Sequence, residues 1–400
     1  MSKKEKRDYY FSLKLAYYYF LSKLKFLHVL LPYNLQNKLP VGWSFHMFWV
    51  AFKSGGTRIY NDYYAEMKAP KSYQPQAKVK PTFQLKEEDI RFFYENGYLG
   101  PFDLVSADEA EDFRQYLIHT ILETNSKTWK YQFEKESGLA DELFPTDEDD
   151  DSMITEEYKK TLVSHVNKTN RHLEYERLLG LFQKPEITER CAQLLGPDLL
   201  LWRSDCFEVP GFNVGTPWHQ SSNWLLQNMR ESVANPPDSD ELHQVTCWIA
   251  LTDANKERGC MRVIPGTHTK MYPLVVNRDI NATNQLYRYD KGPIDFPFEQ
   301  AKEELIEVKA GQFFIFSERV IHGSVPNQTD LSRWAINCRI SKTDTKFFTK
   351  RMFKEGHQIT YHRLKNVNID KWRAVLLRGK DKFGYNKLFE GFATKKEKTL

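Results

Sequence analysis

The sequence predicts an α+β protein with a helical N-terminal layer, a β core over roughly residues 198–343 and a basic C-terminal extension. Three observations carry this. Apolar residues recur at helical spacing before Gly196-Pro197, short apolar runs alternate with turn signals after it, and Lys, Arg, Trp and Phe interleave in a helix-like pattern beyond Thr343. The 400 residues suit one large domain with additions, divided here into 1–82, 83–343 and 344–400. A hydrophobic content of 41% with 14% aromatics allows a packed core, and a net charge of +4 argues against a dedicated nucleic-acid binder. Cys191, Cys206, Cys247, Cys260 and Cys338 are odd in number, widely spaced and lack a CxxC, so reduced thiols in a cytoplasmic protein are expected.

Met1 to Arg7 is basic, and residues 11–35 are rich in Tyr, Leu and Phe. Lys14, Lys23 and Lys25 interrupt that stretch, so no uncharged run reaches the roughly 18 residues of a spanning helix, and no transmembrane segment is expected. Phe20, Leu24, Leu27 and Leu31 recur at helical spacing. The expectation is a helix packed on the chain's own core; a helix lying on a membrane surface or a partner is the alternative.

Residues 36–82 read as an irregular connection. Residues 85–94 read as an amphipathic helix stopped by Asn96-Gly97, and 107–124 as a second helix capped by Ser106. The acidic cluster at 141–151 lacks the glycine and ligand spacing of a calcium loop and reads as a solvated loop. A third helix is expected over 175–195. Strands are expected at 199–209, 244–251, 261–264, 305–308, 312–316 and 334–340, in an antiparallel barrel or sandwich. Residues 276–301 interrupt them as a long insertion of the kind that covers a site.

Two histidines stand out by context, in Thr216-Pro217-Trp218-His219-Gln220-Ser221 and in Val320-Ile321-His322-Gly323-Ser324. Non-haem iron that activates O2 uses two imidazoles and commonly one carboxylate, leaving open positions. In a strand, residues i and i+2 share a side, so His219 and the side chain at 221 would face one metal. His322 would come from an opposing strand. Arg333 would reach in from the next, where its planar fork suits the far carboxylate of a dicarboxylate co-substrate. Each piece has a plainer reading: a histidine beside a tryptophan is commonly structural, and a single arginine commonly makes a salt bridge. Asn223 or Trp224 is expected to line a substrate or halide pocket; equally, Trp224 reads as core. His268 reads as structural or substrate-shell, and His243 as a surface residue.

Taken together the residues resemble the phytanoyl-CoA dioxygenase family. The likeness runs in order through Phe92-Phe93-Tyr94-Glu95-Asn96-Gly97-Tyr98, Trp218-His219-Gln220, Trp248-Ile249-Ala250-Leu251-Thr252-Asp253-Ala254, Gly259 to His268, Gly311 to Phe316, and His322-Gly323-Ser324 with Asn327 and Arg333. It implies a double-stranded β-helix core (a cupin-like jelly roll) with flanking helices, Fe(II) held by His219 and His322, and 2-oxoglutarate clamped by Arg333.

The family pattern is His-x-Asp or His-x-Glu, whereas this chain has His219-Gln220-Ser221. That departure resembles the aliphatic halogenase branch of the superfamily, in which a small residue replaces the carboxylate and chloride binds iron instead. One anion then replaces another, and a small side chain leaves room for it. The same resemblance implies that Thr246 and Trp248 help hold 2-oxoglutarate and the surroundings of the halide, with Ser221 bordering it. The expected reaction is chlorination of an unactivated C–H in a biosynthetic intermediate, either a small molecule or one tethered to an acidic carrier protein. A hydroxylase with a two-histidine iron site and a non-catalytic ligand-binding relative remain as alternatives.

Overall fold

The computed structural model describes residues 9–60, 63–134, 163–164, 166–220, 226–227, 231–275, 294–357 and 365–392. The acidic cluster at 141–151 and most of the 276–301 insertion lie outside them.

Two antiparallel sheets form the centre. The strands are β1 (Tyr98–Asp103), β2 (Leu199–Val209), β3 (Gln244–Ala250), β4 (Met261–Ile264), β5 (Glu304–Ile306), β6 (Gln312–Phe316), β7 (Ile321–Ser324), β8 (Arg333–Lys342) and β9 (Val375–Arg378). The larger sheet runs β9-β2-β8-β3-β6-β1 and the smaller β5-β4-β7. Alternation along each strand sends side chains to two cores. Val245, Cys247 and Ile249 of β3 join the outer core with Ile336 and Cys338 of β8, whereas Trp248, Ala250 and Ala335 face inward. There they meet Met261, Val263 and Ile306 of the smaller sheet, so one apolar cluster joins the two sheets.

Helices α1 (Tyr9–Lys23) and α2 (Phe45–Ser54) pack in a separate small core, whereas α3 (Glu87–Asn96), α4 (Ala107–Tyr116), α5 (Glu176–Phe182) and α6 (Pro185–Leu195) flank the larger sheet. The Ser106 cap holds: its hydroxyl accepts the Glu109 N–H while Glu109 accepts the Ser106 N–H. Phe93, Leu117, Phe182, Ile187 and Leu194 cover the outer face of the larger sheet. All five cysteines are buried and free of disulfides.

The structure differs from the sequence reading in four places. The helix expected over 175–195 is two, because Pro185 lacks an N–H and opens a new helix at its first position. The helix expected over 107–124 turns into a wider-wound turn at Leu117–Ile121. Residues 36–82 contain a true helix, α2, capped by the Ser44 hydroxyl on the Met47 N–H and ended by Gly55 at φ +62°. Among its described residues the extension beyond Thr343 is largely not helical: these hold one short helix, Lys350–Glu355, and its β9 pairs with β2 as the outer strand of the larger sheet. Among the described residues no helix is long and apolar enough to cross a membrane.

Candidate active site

The two sequence-predicted histidines meet at the edge of the smaller sheet. Residue 219 pairs antiparallel with residue 322, the His219 N–H donating to the His322 carbonyl oxygen at 2.9 Å and the His322 N–H returning the bond at 3.0 Å. Directly paired residues project from the same face, and the ring centroids lie 4.1 Å apart with planes at 51°. Two glycines permit this approach. A Cβ on Gly323 would stand 2.6 Å from the Thr216 carbonyl oxygen, and one on Gly215, at φ +79°, 2.6 Å from the carbonyl oxygens of Ser324 and Val325. The Ser324 hydroxyl accepts the Thr216 N–H at 2.8 Å and ties the same segment down.

Both imidazoles are oriented alike. Nδ1 of His219 lies 2.9 Å from the Pro217 carbonyl oxygen, and Nδ1 of His322 lies 2.8 Å from that of Val320. A ring nitrogen facing a carbonyl carries the proton, which assigns the lone pair to Nε2 in each ring, the form that ligates a metal. The donor chemistry therefore fits iron. Among the described residues no third His, Cys, Asp or Glu joins the pair in a metal-holding group. Ser221, Asn223 and Trp224 lie outside the described residues.

Arg333 opens β8 on the inward face, 2% exposed. Its Nε has no hydrogen-bond partner among the described residues, and burial holds its pKa down at about 10, still charged at neutral pH. A buried guanidinium without an anion is costly, so this one fits the far carboxylate of a dicarboxylate. It stands 5.1 Å over the Trp248 ring. From there rings run in contact to the histidines: Trp248 to Phe314 at 5.8 Å, Phe314 to Phe316 at 5.2 Å, and Phe316 to His322 at 4.9 Å. Arg333 and the imidazole pair thus sit at two ends of one apolar wall.

Thr246 alternates onto the same face of β3 as Trp248, and its hydroxyl donates to Glu318 Oε1 at 3.0 Å. Glu318 is 2% exposed in the turn between β6 and β7, and burial pushes its carboxyl up to about 7 while Arg339 opposes the shift. Sequence reasoning missed it, because a Ser-Glu-Arg turn reads as surface. Phe316 was missed too, since it reads as ordinary core. Gln220 was assigned no role but is an anchor: its amide donates to the carbonyls of Lys270 (2.9 Å) and Arg319 (2.5 Å) and accepts the Tyr272 N–H (3.0 Å). His243 is not on the surface. It is 3% exposed, and burial pushes its pKa down to about 3. His268 is structural, with Nε2 3.0 Å from the Tyr94 carbonyl oxygen.

A two-sheet core with paired imidazoles at one end of an apolar wall and a buried arginine at the other has the donor set of non-haem iron oxygenases that consume a dicarboxylate. Residues 93–335 match the phytanoyl-CoA dioxygenase family, and the chain belongs to it; it is an Fe(II)/2-oxoglutarate-dependent oxygenase. It is 24% identical over 278 residues to phytanoyl-CoA dioxygenase 1 of Oryza sativa subsp. japonica, covering 66% of this chain and 92% of that one. It is 23% identical over 252 residues to a probable alpha-ketoglutarate-dependent hypophosphite dioxygenase of Stutzerimonas stutzeri, covering 62% and 75%. A solved structure of CytC3 with Fe(II) and alpha-ketoglutarate superposes with a TM-score of 0.52 at 21% identity, covering 76% of this chain and 93% of that chain, a likeness of fold.

Proposed function

We propose that this oxygenase chlorinates an unactivated C–H of a small-molecule substrate, on a double-stranded β-helix core. The observation that carries the reading is Ser221 at the position two residues after His219, where the family pattern has a carboxylate. The lack of any third ligand-type side chain beside the pair, among the described residues, supports it. His219 and His322 hold iron through Nε2. Arg333 clamps the distal carboxylate of 2-oxoglutarate by a bidentate bond, and Trp248 with Phe314 and Phe316 walls that pocket against water. A serine is smaller than a carboxylate residue and uncharged, and chloride bound in place of the missing carboxylate would keep the charge that it would have supplied. Thr246 acts through Glu318, tying β3 to the turn between β6 and β7. Bound iron supplies oxygen activation coupled to decarboxylation of 2-oxoglutarate.

The test is anaerobic reconstitution with Fe(II) and 2-oxoglutarate followed by an optical titration with chloride. Halogenation requires chloride to shift the iron–2-oxoglutarate absorption band, and Ser221→Asp to abolish that shift together with chlorinated product. A band that forms but ignores chloride replaces this reading with hydroxylation at a two-histidine site, in line with the dioxygenase names of the relatives. Failure to bind iron and 2-oxoglutarate at all leaves a ligand-binding protein.

A further inference from the structure

We propose that residues 9–54 form a docking surface for an anionic phospholipid bilayer. The inference is independent of which reaction the iron centre performs.

Helix α1 is apolar on two sides. One side packs inward: Leu15, Tyr18 and Tyr19 are buried in a small core with Trp43, Met47, Phe48 and Ala51, and Tyr19 stacks on Phe48 at 4.2 Å. The helix thus packs on the chain's own core through these side chains and not through Phe20 and Leu24 of the expected stripe, which are exposed, and this packing uses only half the helix. Tyr10, Leu13, Tyr17, Phe20 and Leu24 form a second stripe at helical spacing, and all five are exposed. The stripe continues into the turn Lys25–Leu30, where Phe26 is 73%, Val29 83% and Leu30 77% exposed. It also joins α2, since Phe20 and Phe45 each contact the Phe48 ring at 5.9 Å, and exposed Phe45 stacks on exposed Trp49. A contiguous exposed apolar patch of this kind marks an interaction site.

Charge decides the occupant. Residues 9–61 contain Lys14, Lys23, Lys25, Lys38 and Lys53 and no Asp or Glu, and the sixth cation, Arg58, is paired with Asp295 at 2.8 Å. Lysine is depleted in protein–protein interfaces, whereas aromatics mixed with lysine are the composition of interfacial membrane helices. Lys25 is exposed within the stripe, and Lys53 lies 4.8 Å over the Trp49 ring. A second copy of the chain would set like charge against like across an isologous contact. An anionic leaflet complements both features.

The surface is also wired to the active site. Arg58–Ile59 pairs with Leu274–Val275, and the Met67 N–H donates to the Thr269 carbonyl oxygen at 2.6 Å. Gln220, next to His219, grips the same rim segment through the carbonyl of Lys270. Docking on lipid therefore sets the rim beside the iron site against the membrane-bound layer.

The test is co-sedimentation of the full chain with vesicles of phosphatidylcholine alone and of phosphatidylcholine with phosphatidylserine. Partition is expected to be at least about tenfold stronger with phosphatidylserine, and to fall by at least about tenfold in the triple variant Phe26→Ser, Val29→Ser, Leu30→Ser. Because all three side chains are exposed, the variant should keep the wild-type Tm, which separates lost docking from lost folding. Lys25→Glu should weaken only the phosphatidylserine component. The proposal is overturned if neither vesicle sediments the protein, if the triple variant binds as wild type, or if the patch instead mediates self-association or binding of an acidic carrier protein.

Discussion

At the scale of single residues, Glu318 is the most informative side chain outside the histidine pair. Its carboxyl titrates near 7 in the folded protein because burial disfavours the charged form, with Arg339 and the Thr246 hydroxyl only partly offsetting that. An unfolded glutamate titrates near its ordinary value of 4.5. Between those two pH values the folded state holds the extra proton, so stability falls as pH rises through this window and is level above it. The gap corresponds to about 3 kcal/mol. Glu318→Gln keeps a carbonyl oxygen for Thr246 and has no charge to bury. Its stability relative to wild type should therefore improve between pH 5 and pH 8, measured as the difference in urea unfolding free energy at each pH. A difference that stays constant with pH would show that Glu318 is not held protonated.

At the scale of elements, the pairing of β7 with the segment carrying His219 makes the site, and Gly323 makes the pairing. An alanine there puts a methyl group 2.6 Å from the Thr216 carbonyl oxygen and 3.1 Å from that of Pro217. The segment must retreat, and the reciprocal hydrogen bonds between His219 and His322 stretch with it. Gly323→Ala should lose about 1–3 kcal/mol of stability and weaken Fe(II) retention by at least about tenfold, read by equilibrium dialysis beside a thermal melt. Unchanged metal affinity would mean that the rings do not depend on this strand contact. The same element shows what local sequence reveals. Leu199–Val209, Met261–Ile264 and Gln312–Phe316 were legible because each is a mostly apolar stretch between turn signals. β7 has four residues including His and Gly, and β9 has four and follows the mixed Asp370-Lys371-Trp372-Arg373-Ala374, so neither carries a period of its own. They are strands because of what lies beside them. As candidates, the two histidines and Arg333 stand out by residue type and order alone. Glu318, Phe316 and the anchoring bonds of Gln220 do not, because their roles arise from contacts distant in sequence.

At the scale of the whole molecule, the core is built around neutral histidines. His172, His243 and His357 are buried, and burial pushes each down to about 3; His268 is pushed down to about 4. His172 spends its Nδ1 on the Ser204 hydroxyl at 2.7 Å, inside the layer that covers the larger sheet. In the unfolded chain all four titrate near 6.5. Below that pH the unfolded state binds protons that the folded state refuses, so stability is complete above about 6.5 and declines as pH falls towards the folded values. Glu318 acts in the opposite direction between 4.5 and about 7, but it is one group against four. At pH 5 these five groups together should make unfolding take up roughly three protons. Unfolding free energies measured by urea at half-unit steps from pH 7.5 to 5 should therefore fall with an increasing slope, and Glu318→Gln should steepen that slope. A flat profile over this range would mean that the four imidazoles are not excluded from water in the folded protein.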